Sequence, residues 1–135
     1  MTQALVSLAR TGQLKAEAFS QSEFDGLVSS AAKRLADASN KALADESRFD
    51  LAYNAAHALA LAALRKQGYR SDKRFIVFQL LEHTVGFPPA KWRVLSKCHD
   101  ARNLAEYEGH TEVDAKLLQE LLAVTGELKA AVQAL

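Results

Sequence analysis

The most constraining feature of this sequence is a stretch from about residue 45 to residue 67 that is apolar on nearly every side of a helical wheel. Its alanines and leucines favour helix, and Gly68 follows where a helix usually ends. A surface helix keeps one polar face, whereas a helix that is apolar all round is buried. We therefore predict a buried helix that packs inside a bundle.

The other helical signals surround this stretch. Ser20 and Glu23 match a capping box in front of an apolar stripe of three- and four-residue spacing. The predicted helices are a short arm helix within residues 2–14, a long helix from Ser20, the buried 45–67 helix, a helix at about 73–85, one between Pro88 and Gly109, and one from about 112 to the C-terminus, capped by Thr111. The run at 75–78 also suits a strand, but an isolated strand would have no partner.

These patterns predict an all-α fold. The architecture is an up-and-down bundle of four to five helices with a short N-terminal helical arm, and residues 1–135 form a single domain. We find no internal repeat, low-complexity segment or interdomain linker.

Composition narrows the classes of function. The net charge of +1 provides no overall basic field that would recruit nucleic acid, although a local patch still could. The single Cys98 excludes a disulfide within the chain and a cysteine-based zinc site. The longest apolar run is too short to span a bilayer, and no signal peptide is evident. We expect a cytoplasmic protein with no membrane association, no metal site and no cofactor.

Arg102 is the most informative residue of the predicted 88–109 helix. At about 100° per residue it falls on the same arc as Leu95 and Cys98, which face the core. A guanidinium keeps its charge, so one aimed at a core needs a partner or a wet cleft. Two interpretations remain open: a structural ion pair with Asp50 or Glu106, or an anion-binding or catalytic arginine at a cleft.

A second candidate site lies on the buried helix itself. Asp50, Tyr53, Asn54 and His57 fall within about 100° of one another on the wheel. They form either a satisfied polar network or a group that positions an acid or base. Ser96, His99 and Asp100 offer the residue types of a catalytic triad, but neighbouring helix positions point apart, so we reject a triad.

A basic group follows the buried helix. It consists of Arg65, Lys66, Arg70, Lys73 and Arg74. Such groups are more often solvated helix ends than nucleic-acid sites. Together with Lys91, Arg93 and Lys97, this group could instead line one side of a groove that binds phosphates in a salt-dependent way.

Several short motifs, taken in order, resemble those of one family. They are Arg48-Phe49-Asp50 followed by Ala52-Tyr53, the turn Gly68-Tyr69-Arg70, Trp92, and Arg102-Asn103 followed by Tyr107. The chain resembles HEPN domains, small helical bundles named for nucleotide binding, and in particular small stand-alone bacterial HEPN proteins. The resemblance covers essentially the full length of the chain.

The resemblance implies a homodimer with the Arg-Asn helices near its interface. In active members of the family, an Arg and a His four to six residues further along form a metal-independent endoribonuclease site. Other members bind nucleotides, RNA, DNA or partner proteins, and some pair with a nucleotidyltransferase in toxin–antitoxin modules. Arg102 and Asn103 match the motif, whereas Tyr107 stands at the position of its His.

We therefore predict a binding module that is non-catalytic or weakly active. A tyrosine with a pKa near 10 is a poor base at neutral pH, and His110 lies beyond the helix-ending Gly109. The predicted ligand-binding residues are Arg102, Asn103, Tyr107, Asp50, Tyr53, Asn54 and His57. One alternative is a ribonuclease that uses Arg102 with Tyr107, His110 or His57, and another is a purely structural or adaptor bundle.

Overall fold

The computed structural model describes residues 3–109 and 113–135, except for the side chains of residues 105–108. In chain order the elements are α1 (Gln3–Arg10), β1 (Lys15–Ala16), α2 (Gln21–Ala38), α3 (Asp45–Lys66), β2 (Tyr69–Arg70), α4 (Arg74–Gln79), α5 (Leu81–Thr84), α6 (Pro89–Glu108) and α7 (Ala115–Gln133). The predicted all-α helical bundle is confirmed.

Helix α3 lies at the centre of the bundle. It packs against α2 and α7 on one side and against α4, α5 and α6 on another. Most of its residues are buried, and the alanines at positions such as Ala52, Ala55 and Ala62 are fully inaccessible to solvent. Small side chains allow neighbouring helices to approach α3 closely, which explains why a helix without a polar face is stable here.

The helix ends follow local sequence signals. Ser20 caps α2, because its hydroxyl accepts a bond from the Glu23 amide at 3.3 Å. Gly68 and Gly109 follow α3 and α6 with φ of 89° and 73°, which favour glycine. The capping box is only half formed, since the Glu23 carboxylate accepts hydrogen bonds from Arg65 and Arg70.

Two predicted helix boundaries were wrong. The predicted 73–85 helix is divided at Leu80 into the short helices α4 and α5. Helix α7 is capped by Asp114, whose carboxylate accepts bonds from the amides of Lys116 at 2.8 Å and Leu117 at 3.4 Å. Thr111, the predicted cap, lies outside the described residues. An aspartate is a better cap than a threonine, so the cap preference favours Asp114, and the prediction overlooked it.

The N-terminal arm is tied to the end of α3. Strands β1 and β2 form a two-residue antiparallel pair, in which Lys15 faces Arg70 and Ala16 faces Tyr69. Leu5 and Leu14 are buried against the bundle. The arm packs over the bundle as predicted, although the sequence analysis did not foresee the strand pair.

Around this strand pair lies a cluster that we name the clamp, formed by Arg65, Arg70, Glu17 and Glu23. The Arg65 Nε donates to Glu23 Oε1 at 2.5 Å, and its terminal nitrogens donate to the carbonyls of Glu17 at 2.8 Å and Ala18 at 2.5 Å. Arg70 Nε donates to Glu17 Oε2 at 2.8 Å, and Arg70 also binds Glu23. The clamp therefore joins α2, α3 and the arm.

None of the helices in the described parts of the chain is both long enough and apolar enough to cross a membrane.

Candidate functional site

An open cleft of about 630 Å³ lies between α4 and α6. Its lining combines positive charge, amide groups and one exposed aromatic ring. The lining residues are Gln13, Asp72, Lys73, Arg74, Phe75, Ile76, Gln79, His99, Arg102 and Asn103. We call this feature the cleft.

Helix α6 supplies one wall of the cleft. Pro88 and Pro89 begin the helix and Gly109 ends it in the left-handed conformation, as their positions in the sequence predict. Leu95 and Cys98 face the core and are fully buried. His99, Arg102 and Asn103 are three and four residues apart, so they share one side of the helix. That side faces the cleft and the polar arc of α3.

The polar arc of α3, which consists of Asp50, Tyr53, Asn54 and His57, contacts α6 through a hydrogen bond between the side chains of Tyr53 and His99. Tyr53 is fully buried, and its hydroxyl lies 2.8 Å from His99 Nδ1. The other ring nitrogen, His99 Nε2, lies 3.3 Å from Asn103 Nδ2. With the amide in this orientation, Asn103 donates to Nε2 and the proton on Nδ1 is donated to Tyr53. Both ring nitrogens of His99 are therefore held in place.

Two guanidinium groups converge on Tyr53 from different helices. The Cζ atoms of Arg74 and Arg102 lie 5.4 Å and 5.3 Å from the centre of its ring. Cation–π attraction holds each arginine over the ring, because the face of an aromatic ring is electron-rich. Arg74 also donates to Asn54 Oδ1 at 3.1 Å. Two positive charges are thus held near the Tyr53 ring, and both arginines line the cleft.

Arg102 makes the ion pair that the sequence analysis had offered as one interpretation. Its Nε lies 3.6 Å from Asp50 Oδ1, and the two side chains are 29% and 59% exposed. An ion pair between side chains this exposed contributes about 1 kcal/mol or less, because water screens it. Arg102 is therefore half-buried in a wet cleft rather than sealed in the core. The side chain of Glu106, the other suggested partner, is outside the described part of the chain.

His57 is a predicted site residue that packs against α4. Its ring packs edge-on against Phe78 at 6.1 Å between centres, and among the described residues its buried Nε2 has no hydrogen-bond partner. Burial, assisted by the nearby charges of Arg74, His99 and Arg102, lowers the pKa of His57 to about 4. His57 is therefore neutral at pH 7, and it is not among the side chains that line the cleft.

The structure brings most of the predicted site residues together. Asp50, Tyr53 and Asn54 each contact a cationic or aromatic side chain that borders the cleft, and Arg102 and Asn103 line it. Tyr107 was also predicted to bind the ligand or to act in catalysis, but its side chain lies outside the described part of the chain. His110 also lies outside the described residues.

Sequence reasoning missed His99 and Arg74. His99 was considered only as a triad member, yet its spacing of three residues from Arg102 and four from Asn103 was a signal that they share a face. Arg74 was assigned to a solvated basic group. Nothing local distinguishes it from its neighbours, because its position over Tyr53 depends on how α4 packs against α3.

The predicted basic group does not form one surface. Arg65 is buried and both Arg65 and Arg70 belong to the clamp, whereas Lys73 and Arg74 line the cleft. Lys66 lies over the Phe19 ring at 4.7 Å. Apart from Arg102, the basic residues of α6 do not extend the cleft either: Lys91 pairs with Glu127 at 3.3 Å, and Arg93 lies over Trp92 at 5.5 Å. Among the described residues, Lys97 is not part of the cleft lining.

The remaining reactive side chains offer little chemistry. Cys98 is buried on the core side of α6, and burial raises the pKa of its thiol to about 12, so it is an inert core thiol as predicted. Within residues 3–109 and 113–135, no three His, Cys, Asp or Glu side chains group as metal ligands would. Comparison of the chain with profiles of known protein families, with curated proteins and with solved structures found no significant match.

Proposed function

We propose that this protein is a HEPN-like binding module whose cleft holds a phosphate-containing ligand, either a nucleotide or a nucleic acid. One observation carries the proposal: Arg74 and Arg102, from separate helices, are both held over Tyr53 at the edge of the same open cleft. A planar guanidinium can donate two parallel hydrogen bonds to phosphate oxygens, so two of them suit a phosphate group.

The charge balance of the cleft supports an anionic ligand. Lys73, Arg74 and Arg102 line it together with a single acid, Asp72, among the described side chains. Asp50 contacts Arg102 at 3.6 Å, which is longer than a direct hydrogen bond. A phosphate group that approaches Arg102 therefore competes with a weak, solvent-screened ion pair. Asn103 adds an uncharged donor to the same wall.

The HEPN resemblance supplies the expected biological setting. It suggests a homodimer, and a role in a bacterial toxin–antitoxin or stress-response system in which a nucleotidyltransferase or another protein is the partner. These features belong to the proposal and depend on the resemblance of Arg102-Asn103 and the accompanying motifs.

A second function, metal-independent RNA cleavage, is favoured by one contact. His99 lines the cleft beside Arg102, and the hydrogen bond to Tyr53 fixes its ring. RNA cleavage requires a base that accepts the 2′-hydroxyl proton and an acid that protonates the 5′-oxygen as the P–O bond breaks. His99 can accept the 2′-hydroxyl proton at Nε2 once a substrate displaces Asn103, a water molecule can protonate the 5′-oxygen as the P–O bond breaks, and Arg102 stabilises the negative charge on the phosphate oxygens.

One set of variants tests both functions. We expect wild-type protein to bind a fluorescein-labelled single-stranded RNA in fluorescence anisotropy with EDTA present. Arg102→Ala and Arg74→Ala should each weaken binding about tenfold, because each removes a charged hydrogen-bond donor. The midpoints of thermal unfolding should stay close to that of wild type. Arg93→Ala is the matched control, since Arg93 is an exposed arginine of α6 outside the cleft lining.

The outcomes separate three roles for Arg102. Loss of affinity without loss of stability supports the binding module. RNA cleavage by wild type that disappears in both Arg102→Ala and His99→Ala supports the ribonuclease. Destabilisation of Arg102→Ala by several kcal/mol, with no RNA binding by wild type, would contradict both and leave a structural ion pair.

A further inference from the structure

The cleft contains a half-exposed phenylalanine that packing does not explain. Phe75 is 50% exposed, more than any other large apolar side chain among the described residues, and it lines the cleft. We infer that Phe75 is a stacking platform for a nucleobase, and that the ligand of the cleft is a single-stranded polynucleotide. The inference rests on the proposed phosphate-binding function and names the class of ligand.

Phe75 differs from the buried residues of the same helix, because half of its side chain is exposed. Val77 and Phe78, two and three residues on, are buried, and Phe78 packs edge-on against Tyr53 at 5.9 Å. At about 100° per residue, position 75 lies about 60° from position 78 and about 160° from position 77, so Phe75 is at the edge of the buried side of α4, where it lines the cleft. Phe19, another exposed ring, is instead covered by Lys66 at 4.7 Å and Phe24 at 5.9 Å.

The surroundings of Phe75 suit a nucleotide strand. Lys73 and Arg74 precede it in the chain, and Arg102 lies on the opposite wall, so positive charge is available on both sides of the ring for backbone phosphates. Gln79 and Asn103 also line the cleft, and their amides can donate to and accept from the edges of a base. Stacking on an aromatic ring combined with a cationic groove is how proteins bind single strands with little sequence preference.

The exposed ring favours a single strand over a duplex and over a protein partner. In a duplex both faces of each base are covered by neighbouring bases, so a protein ring has no free face to stack on. A protein-binding patch would be a continuous apolar surface with few charges at its centre. Here most of the other side chains that line the cleft are charged or carry an amide.

The test compares strands that have the same charge and differ only in their bases. Fluorescence anisotropy would measure the affinity of the full-length protein for a labelled single-stranded RNA, for its DNA equivalent, for the duplex, and for an abasic strand of equal length. The variants are Phe75→Leu, which keeps an apolar side chain but removes the ring, and Phe75→Trp, which keeps the stacking face. Leu104→Ala is the control, since Leu104 is 48% exposed on α6 and does not line the cleft.

We expect wild type to bind the base-bearing single strands about tenfold more tightly than the abasic strand, with Phe75→Leu removing that difference and Phe75→Trp retaining it. Binding of the abasic strand should not change in Phe75→Leu, and Leu104→Ala should behave as wild type. The RNA and DNA strands distinguish the two kinds of polynucleotide through the 2′-hydroxyl.

Four results would overturn the inference. The first is equal binding of base-bearing and abasic strands by wild type, and the second is equal or tighter binding of the duplex. The third is a loss of affinity in Leu104→Ala equal to that in Phe75→Leu, which would indicate a general apolar contact. The fourth is an absence of any effect of Phe75→Leu while wild type binds the abasic strand through Arg74 and Arg102, which would leave the phosphate-binding function standing without the stacking role. If wild type binds no strand, the phosphate-binding function fails as well.

Discussion

The clamp and the cleft use the same residue type for different purposes. In the clamp, Arg65 is 1% exposed, and its guanidinium contacts two carboxylates and three carbonyl oxygens. In the cleft, Arg74 donates to the neutral Asn54 amide, and Arg102 contacts an exposed carboxylate at 3.6 Å. Arg65 and Arg74 are nine positions apart in the chain.

The difference shows how to tell a structural arginine from a ligand-binding one. A guanidinium surrounded by acceptors at hydrogen-bond distance has its donors used within the fold, and removing it leaves buried acceptors without partners. A guanidinium over an aromatic ring is positioned by its contact with the ring face, and that contact does not itself use the N–H donors at the guanidinium edge. Buried position and positive charge alone do not separate these two cases.

The largest effect that we expect is on the stability of the clamp. Arg65→Ala should lower the free energy of unfolding by about 3 kcal/mol, because it removes the buried partner of Glu23 and of the carbonyls of Glu17 and Ala18. Urea unfolding at pH 7 measures this change. The control is Lys66→Ala at the next position, where an exposed cation–π contact with Phe19 contributes about 1 kcal/mol or less.

Comparable unfolding midpoints for Arg65→Ala and wild type would contradict the assignment of a structural role to the clamp. A strong loss of RNA affinity in Arg65→Ala, measured where the variant is folded, would contradict the separation between clamp and cleft.

A smaller effect should appear in acid. Hydrogen bonds, from Arg70 to Glu17 and from Arg65 to Glu23, hold the pKa values of both carboxyls below their ordinary value of 4.5. As the pH falls, these carboxyls take up protons in the unfolded chain before they do so in the folded protein. Their stabilisation of the folded protein is therefore present above about pH 4.5 and is lost as the pH decreases further.

Urea unfolding of wild type at a series of pH values should therefore show a free energy of unfolding that decreases below about pH 4.5. The double variant Glu17→Gln/Glu23→Gln should be less stable than wild type at pH 7 and should depend less on pH in the same range. Parallel curves for the two proteins would mean that the clamp carboxylates do not contribute.

The smallest effect that we expect is a change in the RNA affinity of the cleft. Asp50→Asn should increase the affinity for the labelled RNA up to about fivefold, because the exposed ion pair with Arg102 no longer competes with phosphate. Asp45→Asn is the control: Asp45 pairs with Arg48 at 3.3 Å at the start of the same helix, outside the cleft lining. A fall in affinity for Asp50→Asn would show that Asp50 instead positions Arg102 for binding.

Parts of the cleft were predictable from helix spacing alone. The 100° rule placed Arg102 beside Leu95 and Cys98, and the structure confirms that these two side chains are buried while Arg102 is partly so. The same rule grouped Asp50, Tyr53 and Asn54 on one arc of α3, and all three lie next to α4 or α6. Periodicity was sufficient because both helices are long and nearly regular.

Periodicity did not reveal the functions of the arginines that run from the end of α3 to the start of α4. Arg65, Arg70 and Arg74 belong to one basic run in the sequence, and their separate roles depend on Glu17 and Glu23, more than forty positions away, and on Tyr53, one helix back. The strand pair that brings the arm next to Arg70 is only two residues long on each side, too short to leave an alternating pattern.

The sequence by itself determined the all-α class, the buried central helix and most helix ends, because these depend on apolar spacing, alanine content and glycine or serine at the caps, which act within a few residues. Only the tertiary structure decided that His99 bonds to Tyr53, that Arg74 joins Arg102 at the cleft, and that Phe75 remains exposed. Those features arise from the packing of α4 and α6 against α3, and contacts between segments far apart in the chain leave no local signal.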